Sequence, residues 1–174
     1  MIFNGRIETS KISSEGRSLA DEDLSHLTAL RGERTVTVGD ASSVGFTYFT
    51  KYFEWQGLYR ETWAYEIFPD YIAGFTGEVV MLTYSCSCEL LGTLWPGDRL
   101  VIKLVAPWIR LAFMQGLYFY YRVTDDGEKL VARGEQIWMN AHRKGDTFTP
   151  GPWPANVVEG VRKAGGDVSR ALVA

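Results

Sequence analysis

The stretch GDASSVGFTYFTKYFEWQGLYRE, residues 39–61, carries the pattern on which the fold prediction rests. It starts as a polar turn and takes helical spacing from about Thr47. Two neighbouring i, i+4 rows follow: Phe49, Phe53 and Gly57 form one, and Tyr48, Tyr52, Gln56 and Arg60 form the other. Because both rows carry large aromatic side chains, we expect a helix with hardly any solvent-exposed face. Gly57 in its middle costs about 1 kcal/mol relative to Ala, which indicates close approach of another backbone.

The second half of the chain has the spacing of strands. Residues 79–90 alternate between two unlike faces with a period of two. A Pro-Gly turn at 96–97 and the turn TDDGEK at 124–129 separate further strands, the last two of which are predicted to be antiparallel neighbours. One strand, one helix and then four long strands predict an α+β fold, in which an antiparallel sheet of about five strands wraps around one long central helix.

The length of 174 residues, with 46% hydrophobic residues, fits a single domain with a sizeable core. We predict an N-terminal extension over residues 1–30, either mobile or containing a short helix. The main domain is predicted to span residues 31–154. Residues 155–174 are expected to form a C-terminal tail or short helix.

Composition excludes several classes of function. A net charge of -3 and scattered basic residues give no electrostatic footprint for nucleic acid. Without a signal-peptide core or a run of about 18 apolar residues, we expect a soluble, cytoplasmic protein that does not contact a membrane. Cys86 and Cys88 lie two apart on a predicted strand, too far apart for a disulfide. Together with His26 and His142 they match no zinc spacing, so no metal and no other cofactor is predicted.

The turn and the helix resemble those of a known enzyme family. Gly39, Asp40 and Gly45 match the G-D-x-D-x-x-G turn of hotdog enzymes of the hydroxybenzoyl-CoA thioesterase type. The sequence is more similar to the hotdog thioesterases of enediyne polyketide pathways, with N-x-V-G, a Tyr-rich helix and W-Q-G-x-x-R-E. The residues that fit this second frame are Val44, Gly45, Tyr48, Tyr52, Trp55, Gln56, Gly57, Arg60 and Glu61. The resemblance covers about residues 33–154. It departs at Ser42, where the two groups carry Asp and Asn.

This resemblance implies the hotdog fold and a thioesterase that hydrolyses an acyl or polyketide thioester in natural product biosynthesis. Arg60 would be catalytic, holding the oxygen that becomes negative when water attacks. The alternative for Arg60 is an ion pair with Glu61, Glu66 or Asp70 at the end of the helix.

We also expect catalytic roles for Ser42, which stands at the family's catalytic position, and for Tyr52, which lies between Ser42 and Arg60. Both would position water or an acyl oxygen. Ser42 could instead simply cap the turn or the helix. The residues expected to bind substrate are Val44, Gly45, Phe46, Tyr48 and Gln56. Among them, the backbone amides of Gly45 and Phe46 are expected to act as further donors to the developing anion.

A general base is hard to find in the sequence. Asp40 lies two residues before the usual catalytic position, and Glu61 is rotated by about 100° from Arg60 around the helix. Neither histidine lies in the setting of a Ser-His triad, which makes Ser42 a poor nucleophile.

The implied partners follow from the resemblance. An acyl carrier protein, a polyketide synthase or coenzyme A would present the acyl group, and the chain would form a homodimer or homotetramer with sites where two sheets join. The absence of an acidic residue at position 42 leaves an alternative function open. The protein could be a non-hydrolytic acyl or polyketide binder, or a cyclase-like accessory protein.

Overall fold

The computed structural model describes residues 24–69 and 79–174, and in these residues one eight-stranded sheet packs against a long helix. The strands are β1 (Leu30–Thr35), β2 (Val79–Leu90), β3 (Arg99–Val105), β4 (Trp108–Leu111), β5 (Phe113–Thr124), β6 (Gly127–Lys144), β7 (Thr147–Pro150) and β8 (Asp167–Ala171). The helices are α1 (Thr50–Ile67) and α2 (Ala155–Lys163), and a short 3-10 helix covers Val38–Asp40.

The sheet is antiparallel except at one pair. Strand β5 lies between β3 and β6, and β1 pairs with the other side of β3. Strand β2 pairs with β6 over its whole length, and β7 pairs with the end of β6. Strand β4 also pairs with β5, and β8 runs parallel to β4.

The prediction of about five strands is therefore wrong in its count, whereas the α+β class with a mostly antiparallel sheet is confirmed. One additional strand arises because Pro107 interrupts a segment that reads as continuous in the sequence, and separates β3 from β4. The others, β7 and β8, lie in the last part of the chain, where the sequence has no clear period of two.

Helix α1 buries one face against the sheet. The buried residues are Tyr52, Trp55, Gln56, Tyr59, Trp63 and Ala64. The ring of Tyr52 lies 5.3 Å from that of Tyr120, and the ring of Trp63 lies 5.6 Å from that of Trp138. Leu58 and several polar residues are exposed on the opposite face. The expectation of a helix with hardly any exposed face is thus wrong for the single chain.

The close backbone approach expected at Gly57 is also absent from the described residues. A Cβ on Gly57 would meet no atom within 4 Å. The crowded glycines lie instead on strands, where Gly32 contacts Tyr59 and Gly116 contacts Trp138. These strand glycines let the large side chains reach the backbone of the sheet.

The C-terminal segment is part of the core. Val157, Val158 and Val161 of α2 are buried in the same cluster as the aromatic residues of α1. Gly160 allows α2 to approach α1, because a Cβ there would overlap the side chain of Ile67. Strand β8 then extends the sheet.

The N-terminal extension lies partly outside the described residues, which begin at residue 24. Residues 24–29 form a turn with no helix. Leu24 and Leu27 pack against Val105 and Leu117, in a small cluster separate from the main core.

Candidate functional site

A cleft of about 330 Å³ lies beside the first turn of α1. Its lining residues are Phe46, Thr47, Tyr52, Leu90, Leu91, Gly92, Thr93 and Leu94. They come from the loop before α1, from α1 itself and from the segment after β2. The lining is largely apolar and contains no carboxylate, amine or imidazole group. It can therefore hold an apolar chain but offers few polar contacts.

The loop before α1 is closed by Ser42. Both the Ser42 N–H and its hydroxyl donate to the carbonyl oxygen of Phe46, at 2.8 and 2.9 Å. The Gly45 N–H donates to the Ser42 carbonyl at 3.0 Å, and Gly45 has a φ of 95°, which favours glycine. Ser42 thus closes the turn, which is the structural role that was the alternative to a catalytic one. The Gly45 amide is engaged within the loop and is not available to a substrate, contrary to expectation.

The Phe46 amide is the donor that the loop leaves available, since no described residue accepts a hydrogen bond from it. Phe46 lines the cleft, and its ring packs edge-on against Trp95, with 6.0 Å between ring centroids. Thr47 anchors the end of the loop, because its N–H donates to the Leu94 carbonyl at 2.8 Å. Helix α1 consequently begins at Thr50 instead of about Thr47.

Asp40 fixes the start of this loop. One carboxylate oxygen accepts hydrogen bonds from the Thr37 N–H and the Thr37 hydroxyl, both at 2.8 Å, and lies 3.6 Å from the Arg34 guanidinium. Burial opposes the charged form, but the hydrogen bonds from Thr37 and the charge of Arg34 prevail, and the pKa of Asp40 lies below its usual value. Arg34 in turn stacks on Trp55 of α1, 4.6 Å from the ring centroid. Asp40 is therefore occupied in holding loop, β1 and α1 together.

Tyr52 is the polar side chain that α1 contributes to the cleft. It is 2% exposed, and its carbonyl oxygen accepts a hydrogen bond from the Tyr120 hydroxyl at 2.9 Å. Burial, with a smaller contribution from Cys88, raises the pKa of Tyr52 to about 12. The hydroxyl therefore stays protonated at neutral pH and can donate a hydrogen bond to a bound oxygen.

Arg60 lies outside this cleft. It follows Tyr52 by eight residues, which is about 12 Å along the helix axis. Its guanidinium donates a hydrogen bond to the Thr83 hydroxyl of β2. It also lies 3.9 Å from the Glu61 carboxylate, so Arg60 forms the weak ion pair with Glu61 that was the alternative to a catalytic role. The Arg60 side chain is only 17% exposed, and its Nε is buried without a partner among the described residues.

The other expected binding residues are divided between the interior and the surface. Gln56 is fully buried and donates to the Ser87 carbonyl at 3.0 Å, so it ties α1 to β2. It fits there because Gly134 of β6 has no Cβ. Val44 and Tyr48 are exposed, and neither lines the cleft.

Sequence reasoning missed the wall formed by residues 90–94. Their apolar run, followed by a Pro-Gly turn, is a signal for the end of a strand. Nothing local indicates that this end returns to the first turn of α1, since the contact is distant in sequence.

The described residues contain no group of three or more side chains suited to hold a metal ion. None of the helices described here is long and apolar enough to cross a membrane.

Several solved structures with a similar arrangement are named as thioesterases. A structure of the dynemicin thioesterase matches with a TM-score of 0.73 at 21% identity, over 79% of this chain and 97% of that one. The 4-hydroxybenzoyl CoA thioesterase from Pseudomonas sp. matches with a TM-score of 0.68 at 19% identity, over 76% and 98% of the two chains.

The chain has the hotdog fold. A third hotdog protein, 1,4-dihydroxy-2-naphthoyl-CoA thioesterase from Synechocystis, matches with a TM-score of 0.63 at 17% identity, over 79% of this chain and 95% of that one. No family model and no curated protein matches the sequence. The hotdog fold predicted from residues 33–154 is therefore confirmed.

Proposed function

We propose that this hotdog protein hydrolyses acyl thioesters. The observation that carries the proposal is an apolar cleft lined by both Phe46 and Tyr52, because the Phe46 amide and the Tyr52 hydroxyl are donors without an acceptor among the described residues. Its hotdog neighbours include thioesterases for coenzyme A esters, which supports the same general reaction here.

In this proposal the acyl chain lies along the apolar wall formed by residues 90–94, with the thioester carbonyl oxygen at the two donors. Water adds to the carbonyl carbon, and the Phe46 amide, the Tyr52 hydroxyl and the positive end of α1 stabilise the negative oxygen. The C–S bond then breaks and the thiol leaves with a proton. Ser42 donates its own proton to Phe46, so its oxygen is left to accept a hydrogen bond from the water.

We propose that the substrate is a polyketide or fatty acyl thioester in natural product biosynthesis. An acyl carrier protein, a polyketide synthase or coenzyme A would carry the acyl group. The apolar lining supports a hydrocarbon chain. The structure of the dynemicin thioesterase concerns polyene binding, which favours an unsaturated chain by analogy.

We further propose that the protein works as a homodimer or a dimer of dimers. The support is strand β2, which pairs only with β6 within the described parts of the chain and exposes most of its residues. An open edge of this length favours pairing with another chain.

A second candidate function is acyl binding without hydrolysis. It is favoured by the absence of a carboxylate from the cleft lining, because a general base normally lies within about 3 Å of the attacking water.

Thiol release from acyl-CoA and acyl-pantetheine substrates tests the proposal. Tyr52→Phe removes one of the two donors and should lower kcat/KM by about 10²-fold. Tyr65→Phe is the matched control, because Tyr65 is exposed on the other side of α1 and should not affect turnover.

The two candidate functions differ in the response to Ser42→Asp. If the protein only binds acyl chains, Ser42→Asp should introduce hydrolytic activity. If it is a hydrolase that uses Ser42, the same substitution should leave activity unchanged or lower it. A wild-type protein that binds acyl chains but releases no thiol, with Ser42→Asp active, would overturn hydrolysis in favour of binding.

A further inference from the structure

The face of the sheet that points away from α1 carries a hollow of about 350 Å³. We call it the outer hollow, and its lining residues are Tyr84, Trp108, Arg110, Leu111, Phe113 and Ile137. Ile109, Met114 and Trp138 are direct neighbours of lining residues along the strands, and they are buried in the same core cluster as the aromatic residues of α1. Because successive side chains of a strand point to opposite faces, the outer hollow lies on the other side of the sheet from the proposed acyl cleft.

The outer hollow is apolar except for one cation. Its lining contains five large apolar or aromatic side chains, the Arg110 guanidinium and no carboxylate. We propose that the outer hollow binds an amphipathic carboxylic acid, whose hydrocarbon chain lies on the apolar side chains and whose carboxylate pairs with Arg110. This binding does not require the proposed thioester hydrolysis, since it uses none of the residues of the cleft.

The backbone at Leu111 is the first support. Its φ of 54° lies in the left-handed region, which a leucine rarely adopts. The Leu111 side chain is 57% exposed, so burial within the described chain does not explain this conformation. Strained backbone of this kind persists chiefly at sites that have a function, and Leu111 lines the outer hollow.

Two strand irregularities at the same hollow are the second support. The register of β2 with β6 shifts at Tyr84, which is the extra residue of a β-bulge. Tyr84 is 67% exposed, and its ring lies 5.2 Å from that of Phe113. The pairing of β4 with β8 also shifts, between Trp108 and Arg110. Bulges often change the direction of side chains beside binding sites, and both of these occur at residues of the outer hollow.

The third support is that Arg110 is available for an anion. Its guanidinium stacks over the ring of Trp108, 4.9 Å from the centroid, and attracts the Asp167 carboxylate through space. Among the described residues it forms no hydrogen bond and no ion pair within 4 Å, and the side chain is exposed. Because a guanidinium carries five N–H donors in a planar fork, it can bind a carboxylate through two parallel hydrogen bonds.

A smaller hollow of about 270 Å³ adjoins the outer hollow, because Trp108 and Arg110 line both. His26 and Asp167 also line the smaller hollow, and Asp167 accepts a hydrogen bond from the Ser169 N–H at 2.9 Å. Arg110 therefore lies at the boundary between an apolar and a polar surface, which suits the head group of an amphipathic ligand. Because Asp167 offsets part of the positive charge, a carboxylate with one negative charge fits better than a phosphate with two.

Calorimetric titration with octanoate tests the role of Arg110. Arg110→Gln should weaken octanoate binding about tenfold, because it removes charge-assisted hydrogen bonds to the carboxylate. Binding of 1-octanol, which has the same chain without the charge, should not change with the substitution. Arg99→Gln is the matched control, since Arg99 is exposed and does not line the outer hollow.

Photolabelling locates the bound acid. An octanoate analogue with a photoreactive diazirine at the end of its chain should label Tyr84, Leu111 or Phe113 in the wild-type protein, as mapped by mass spectrometry of peptides. Arg110→Gln should lose most of this labelling. Labelling confined to residues 46–52 and 90–94 would show that the acid binds only in the cleft, and would overturn the proposal.

Leu111→Gly separates binding from folding. Glycine adopts a φ of 54° without strain, so the urea midpoint of unfolding should not fall. Octanoate binding should nevertheless weaken about fivefold, because an apolar side chain of the outer hollow is lost. Equal octanoate affinities of the wild-type protein, Arg110→Gln and Leu111→Gly would contradict the assignment of this site.

The remaining outcomes concern a different occupant and the proposed function. If a second copy of the chain covers the outer hollow, the wild-type protein should bind no octanoate, and Leu111→Gly should sediment as a smaller assembly. That result would overturn the proposal in favour of a contact between copies. A wild-type protein without thioesterase activity would refute the proposed function only, since the titration measures binding without turnover.

Discussion

Ser42 and Tyr52 differ in what their hydroxyl groups can still do. The Ser42 proton is held by the Phe46 carbonyl, so Ser42 can only accept a further hydrogen bond. The Tyr52 proton meets no acceptor among the described residues, and a pKa of about 12 keeps it in place. Tyr52 lines the cleft, whereas Ser42 lies in the loop before it. Because the Ser42 proton is held by a backbone carbonyl and no base accepts it, covalent catalysis through Ser42 is disfavoured.

The Asp40 carboxylate is expected to stabilise the folded protein in a pH-dependent way. Asp40→Asn removes the charge that holds Arg34 and weakens two hydrogen bonds from Thr37. The free energy of unfolding at neutral pH should fall by about 1–3 kcal/mol. Because folding lowers the pKa of Asp40, the stabilisation is present at neutral pH and is lost as the pH falls through that lowered value. Urea unfolding of both proteins between about pH 7 and pH 3 should show the difference shrinking with acid.

The matched control for this measurement is Asp126→Asn, in the exposed turn between β5 and β6. It should leave stability unchanged at every pH. A difference between wild-type protein and Asp40→Asn that stays constant with pH would mean that the Asp40 charge has no part in holding the loop.

The sequence predicts some site residues and not others, for a local reason. Gly45 and Ser42 are recognisable because a tight turn has its own residue requirements. The i, i+4 row correctly places Tyr52 and Arg60 on one side of the helix, but a row contains no information about which strand lies beside it. The row therefore predicts Gln56 as a substrate-binding residue, although Gln56 is buried against β2.

Among the secondary structure elements, the fit of helix to sheet depends on glycines in strands. The sequence draws attention to Gly57, since glycine is unusual within a helix. Gly116 and Gly134 attract no such attention in segments that alternate like any strand. Gly134 nevertheless lies under Gln56 of α1, and Gly116 lies under Trp138 of the neighbouring strand β6. These contacts join residues that are distant in sequence, so a local pattern cannot reveal them.

Gly116→Ala should therefore be costly. The added methyl group would overlap the ring of Trp138, which is fully buried. Overpacking of this kind should lower the free energy of unfolding by about 1–3 kcal/mol, as measured by urea denaturation.

Gly39→Ala provides the comparison, because the nearest atom to its added Cβ would be 3.6 Å away. It should change stability by less than about 0.5 kcal/mol. Equal effects of the two substitutions would show that the Trp138 side chain can be displaced at little cost.

At the level of the whole molecule, the last twenty residues are where sequence and structure differ most. Residues 155–174 read as a tail or a short helix, and the structure contains helix α2 followed by strand β8. The short helix was foreseeable from valines on one face. The parallel pairing of β8 with β4 could not be predicted in this way, because β4 is a separate strand only where Pro107 interrupts the segment after β3.

Val161 tests whether this segment contributes to the stability of the whole molecule. It is fully buried in the core cluster that also contains Trp63 of α1 and Trp153. Val161→Ala removes two buried methyl groups and leaves a cavity, so the free energy of unfolding should fall by about 2–3 kcal/mol in a single cooperative transition. Lys163→Ala, two residues later and exposed, should have almost no effect. If residues 155–174 did not contribute to the stability of the core, both variants would unfold at the same urea concentration as the wild-type protein.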